Sequence, residues 1–191
     1  MENAVNFEIR IVPAGTGSSV WDDSSAVHMV DRFMPEGRHH GPMIGILHLG
    51  QARPTPGVLQ SVITEIGENV RAGRYGEFSF VVSSQDSATR DIVSDMARSR
   101  DLALFVTTSA ANFEDAVPVG SLTEAEHQTL RLVMQAGGTV TASEFAAHLG
   151  VEQTTAGNRL VALHKKGYLQ RVKRPHPSGD QFLDPRSVRM K

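Results

Sequence analysis

The spacing of apolar and polar positions changes character near residue 120. Before it, apolar runs alternate with stripes of helical period. Phe7-Glu8-Ile9-Arg10-Ile11-Val12 alternates apolar and charged side chains, which predicts a half-exposed strand. Ala26–Val30 carries a second strand pattern, and Met43–Leu49 is apolar enough for a central strand covered on both faces. Thr55-Pro56 supplies an N-cap and a first-turn proline, and Val58, Leu59, Val62, Ile63, Ile66 and Val70 then recur at helical spacing. Phe78–Ser83 predicts a strand, Asp86–Arg100 a helix with Ile92, Val93 and Met96 inward, and Leu102–Thr107 a strand. Such alternation over residues 1–115 predicts an α/β domain: a small mixed sheet with flanking helices and right-handed crossovers.

Residues 116–121 read as a linker. The stretch Glu114–Gly120 contains Pro118 and Gly120 and has the composition of a hinge. Beyond it the pattern is set by starts and stops. Thr123 with Glu126 forms a capping box, Leu130, Val133 and Met134 an apolar stripe, and Gly137-Gly138 a stop. Thr141 with Glu144 is a second capping box, opening a short helix that carries Phe145 and Leu149 inward. Gly150 stops it where a tight turn needs a residue tolerant of positive φ. A third helix, Gln153–Lys166, buries Leu160 and Leu163 and ends at Gly167. Tyr168–Lys173 and Gln181–Leu183 then read as two strands around a Pro-His-Pro-Ser-Gly tip. Residues 122–191 therefore predict a winged helix-turn-helix.

"SLTEAEHQTLRLV" and "TASEFAAHLGVEQTTAGNRLVALHKKGYLQR", followed by a basic wing, resemble the DNA-binding domain of the MarR family in order and spacing. The resemblance covers about a third of the chain and implies a grip on duplex DNA. Two departures stand out. The family's wing carries an Asp-x-Arg element, whereas Asp180 is followed by Gln181 and Phe182. Flanking dimerisation helices are also expected of such proteins, and Lys191 falls just past the wing. A MarR-like winged helix joined to a different domain is the expectation.

Charge supports that division. Residues 1–120 hold 9 arginines, no lysine and 15 acidic residues, a balance of −6; residues 121–191 hold 10 basic and 6 acidic residues, +4. A basic module beside an acidic one suits a DNA-binding arm with a partner domain. On the third helix, Gln153, Thr154 and Thr155 lead, with Asn158 and Arg159 one turn on. Short polar residues there reach base edges, Arg pairing with guanine and Asn or Gln with adenine. On the wing, Arg171, Lys173, Arg174 and His176 suit phosphates or the minor groove. Lys165 and Lys166 close the third helix, where cations complement its dipole. Gly157 allows close approach either to DNA or to a neighbouring helix.

The order of elements in the first domain is similar to that of STAS domains, which carry a phosphorylatable serine between a strand and a helix. Ser83, Ser84 and Ser87 occupy that place and are the candidate phosphorylation or anion site, although the family's Asp-Ser-Ser-Gly signature is absent. Other features carry less. Gly15–Ser19 lacks the spacing of a phosphate-binding loop, and Trp21 suits packing at a domain edge. His28, His39, His40 and His48 lack ligand spacing. With no cysteine, thiol and disulfide chemistry are excluded. No nucleophile–base or carboxylate pair stands at catalytic spacing, so neither an enzyme nor a cofactor is expected.

The expected function is a cytoplasmic DNA-binding transcriptional regulator with no membrane association. Its winged helix binds double-stranded DNA, and its α/β domain forms a homodimer or receives a small-molecule or protein signal. The competing expectation is a protein–protein signalling adaptor, a STAS-like domain with a winged helix used for docking.

Overall fold

The computed structural model describes residues 5–9, 43–50, 53–109, 113–173 and 179–187, with only the backbone described at 5–9 and 43. The first half is a five-stranded sheet ordered as in sequence. Its strands are β1 (Val5–Ile9), β2 (Met43–Gly50), β3 (Phe78–Ser84), β4 (Leu104–Thr107) and β5 (Val117–Val119). The first four run parallel, and β5 pairs antiparallel with β4. Helix α1 (Pro56–Arg71) joins β2 to β3, and α2 (Ser87–Ser99) joins β3 to β4. Thr55 caps α1 at Val58 N–H with Pro56 in the first turn, and Asp86 caps α2 at Thr89 N–H.

Successive strands step across the sheet in one direction. Right-handed crossovers therefore put both helices on the same face. There α1 and α2 bury Val58, Leu59, Val62, Ile63, Ile66 and Val93 against Leu47, Phe80, Val82, Leu104 and Val106. Gly45 leaves room on β2 for the ring of Phe78, since a Cβ there would lie 2.2 Å from the ring tip.

The opposite face carries Ile44, Ile46, Val81 and Phe105, and neither α1 nor α2 covers it. The winged helix does. Its elements are α3 (Glu124–Gln135), β6 (Thr139–Thr141), α4 (Ala142–Leu149), α5 (Gln153–Lys166), β7 (Gln170–Val172) and β8 (Gln181–Leu183), followed by a 3-10 turn at Pro185–Ser187. Its small antiparallel sheet has the order β6-β8-β7. Leu130, Val133, Phe145, Leu160, Leu163, Tyr168 and Phe182 form one continuous core with this face of the large sheet. Cover on both faces explains why every residue of β3 is buried and why that strand lacks a period-two pattern.

Both capping boxes form as expected, Thr123 with Glu126 and Thr141 with Glu144. Gly150 ends α4 at φ 66°, in the left-handed region that the turn requires. Strand β6 has no signature in the sequence, because three residues between a Gly-Gly stop and a capping box carry no periodic signal.

The expected linker is also different in the structure. Val117–Val119 is strand β5, in register with Leu104–Val106. A Val-Pro-Val stretch fits an edge strand, where the donor that proline lacks would face outward. Directly after it, Gly120 turns the chain at φ 127°, and a Cβ there would lie 2.3 Å from both Leu102 O and Tyr168 Oη. Tyr168 Oη donates to Val119 O at 3.0 Å, and its ring meets Phe105 edge-on at 6.1 Å. The guanidinium of Arg186, held by the fully buried Asp184, lies 5.7 Å from the Phe105 ring centre. Residues read as a hinge thus belong to a packed joint. The strand pattern at Ala26–Val30, the Gly15–Ser19 loop, Trp21, His28, His39 and His40 lie outside the described residues.

Candidate nucleic-acid interface

Helix α5 is positioned from beneath. Ala156, Leu160 and Leu163 are fully buried and repeat at helical spacing, which turns the opposite side of α5 outward. Gln153, Thr154, Thr155, Asn158 and Arg159 are all exposed there. Thr154 with Asn158, and Thr155 with Arg159, stand one turn apart, so the group forms a continuous polar surface at the amino end of the helix. The other end is anchored: Gly167 packs beside Ala103, with 3.5 Å between that Cβ and one built at the glycine. The amino end of α5 therefore projects away from the joint with the large sheet.

Gly157 faces Ala142 at the start of α4, where an added Cβ would lie at 3.6 Å, ordinary contact distance. Of the two alternatives left open by the sequence, the structure places it against the neighbouring helix.

The wing separates its basic residues. Arg171 Nε donates to Asp180 Oδ2 at 2.6 Å, a second guanidinium nitrogen pairs with the same oxygen, and the group lies 6.0 Å from the Phe182 ring centre. Its charge is already matched across the hairpin, which changes the expectation that it is free to meet phosphate. Lys173 is exposed. Arg174 and His176 lie outside the described residues. Lys166 pairs with Glu126 at 2.8 Å and donates to Ser121 O, fastening α5 to the start of α3, while Lys165 is exposed. Burial alone raises the Glu126 pKa, but the bonds from Lys166 and Thr123 outweigh it and hold the carboxyl below its ordinary value.

The three candidate serines diverge. Ser83 and Ser84 are fully buried, and Ser87 is exposed at the first turn of α2. Ser83 belongs to a cross-strand row with His48 and Thr107; His48 Nδ1 lies 3.4 Å from its Oγ, and Thr107 donates to Asp115 at 2.9 Å. Ser84 accepts from Asp86 N–H, and Arg90 donates to Ser84 O at 2.7 Å. Asp86 is held below its usual pKa by hydrogen bonds from Thr89 and by Arg53 beside it. Two of the three hydroxyls are thus buried at the end of the sheet, and Ser87 alone of the three is exposed.

Sequence reading missed the groups that set the wing's geometry. Asp180 is nine residues from Arg171 and meets it only through the hairpin, and Glu77 reaches the wing from the other half of the chain. Neither partnership has a local signature. Among the described residues no helix is long and apolar enough to cross a membrane, and no cluster of three or more His, Asp or Glu side chains is disposed to hold a metal.

Residues 121–178 match the MarR family. No curated protein matches the chain.

Proposed function

We propose that this protein is a DNA-binding transcriptional regulator in which α5 enters the major groove. The carrying observation is the contiguous exposed surface of Gln153, Thr154, Thr155, Asn158 and Arg159 on a helix whose other side is fully buried. Helix-turn-helix proteins contact base edges with this part of the second helix. The family match over residues 121–178 supports the same reading, as does the basic balance of that half. Lys173 supplies phosphate contact from the wing, joined by Arg174 and His176. The α/β domain forms the homodimer, so that two helices address two half-sites, and it receives whatever small-molecule or protein signal acts on the protein.

The adaptor reading, with a STAS-like first domain, has one accessible hydroxyl left to it in Ser87, since Ser83 and Ser84 are buried. A salt titration separates the two readings. Full-length protein is titrated onto labelled duplex from its own upstream region at rising salt. Affinity that falls steeply with salt supports the regulator, because each neutralised phosphate releases counterion. Absence of binding at low salt favours the adaptor.

A further inference from the structure

One carboxylate of the α/β domain touches both elements that carry the DNA-facing groups. Glu77 stands just before β3, and its Oε2 accepts the Arg171 N–H of β7 at 2.8 Å. The same oxygen lies 3.4 Å from His164 Nδ1 near the end of α5. That nitrogen is also 3.1 Å from Leu169 O, so two oxygens flank it. Because β7 is an edge strand of the small sheet, the Arg171 N–H that Glu77 satisfies points away from β8. Beyond these contacts, His164 meets the Phe182 ring edge-on at 6.4 Å, and the Arg171 guanidinium, bonded to Asp180, lies 6.0 Å from the centre of the same ring.

We propose that Glu77 is a positioning residue for DNA binding, fixing the base of the wing and the end of α5 from the sheet domain. The inference rests on the regulator reading above. The joint has two parts with different work. Phe105 and Tyr168 hold the halves together in a buried core. Glu77 and His164 are partly exposed, at 34% and 23% of their side chains, along a groove of about 650 Å³ between the ends of α1 and α5. A contact at an open seam adds little burial, and a directional bond to a strand's N–H sets orientation. Lys173 follows Arg171 by two residues, so a change in the direction of β7 is passed straight to the wing. The sheet domain thereby tunes the affinity of a surface it does not share.

The test compares full-length parent, Glu77→Ala and Glu77→Gln. It reads Arg171 amide hydrogen exchange in the free protein and anisotropy titrations with upstream duplex. Loss of a hydrogen bond to a charged group predicts exchange at Arg171 and duplex dissociation constant each rising about tenfold in Glu77→Ala. Glu77→Gln retains an acceptor and is expected within about threefold of the parent. A merely structural role would not be rescued in this way at unchanged melting temperature. Unchanged exchange at Arg171 overturns the proposal, as does faster exchange with unchanged duplex affinity while the parent binds DNA. A parent that binds no duplex overturns the regulator reading and the positioning role together, and is distinguished by that result from the first two.

Discussion

Gly157 costs α5 helical stability and receives little back. It has ordinary backbone geometry within α5 and an open 3.6 Å approach to Ala142, so Gly157→Ala is expected to raise stability by about 1 kcal/mol in denaturant unfolding. Its duplex affinity should stay at the parent's value, because the glycine faces α4. Lower stability would mean that α4 and α5 cannot accept the methyl. On the proposed regulator reading, Asn158 and Lys173 separate by the kind of contact expected of each. Asn158→Ala is expected to lose about 1–3 kcal/mol on the preferred sequence and little on unrelated DNA. Lys173→Ala should weaken all sequences alike and flatten the logarithmic salt dependence by about one unit. Competition titrations against both DNA types at several salt concentrations read both effects. Arg171 belongs with neither, since its guanidinium is committed to Asp180. Nothing in the sequence marks that commitment; an arginine on a basic wing looks free until its partner across the hairpin is seen.

The elements themselves were legible where local chemistry defines them. Capping boxes at Thr123 and Thr141 fixed the starts of α3 and α4, and Gly150 and Gly167 fixed ends at positive φ. Elements whose existence depends on distant partners were not. Val117–Val119 becomes a strand because β4 is there to pair with, and Thr139–Thr141 because β8 returns beside it. The cap of α3 has a measurable pH signature. Glu126 is depressed by its bonds to Lys166 and Thr123 despite burial, so its contribution is present above the ordinary glutamate range and is lost as pH falls through its folded value. Parent protein should therefore exceed Glu126→Gln in thermal stability near neutrality, with the gap closing below about pH 4.5. A gap independent of pH would assign the effect to the amide's geometry instead of to the charge.

For the whole molecule, the sequence revealed two patterns and not their union. Strands β2 to β4 are apolar on both faces, which told only that something covers the second face. That the winged helix does so follows from the shared core of Ile46, Val81 and Phe105 with Tyr168 and Leu163. Such a core predicts one cooperative thermal transition by calorimetry; two separated transitions would contradict it. Tyr168 gives the joint an alkaline limit. Burial, with Asp101 and Glu126 adding to it, pushes its phenol above the ordinary tyrosine value, so the stability it contributes is present below about pH 10 and is lost as pH rises further. Tyr168→Phe removes the bond to Val119 O, costs about 1 kcal/mol near neutrality and should show a smaller loss in alkali.

The most direct measurement is the duplex affinity of a Thr154, Asn158 and Arg159 triple alanine variant beside the parent, by anisotropy at fixed salt. All three side chains are exposed, so the variant should melt like the parent. Sequence-specific binding is expected to fall by about a hundredfold or more, with residual binding that no longer distinguishes upstream duplex from unrelated DNA. A variant that folds and binds its upstream duplex as tightly as the parent would contradict the assignment of α5 as the DNA-reading helix.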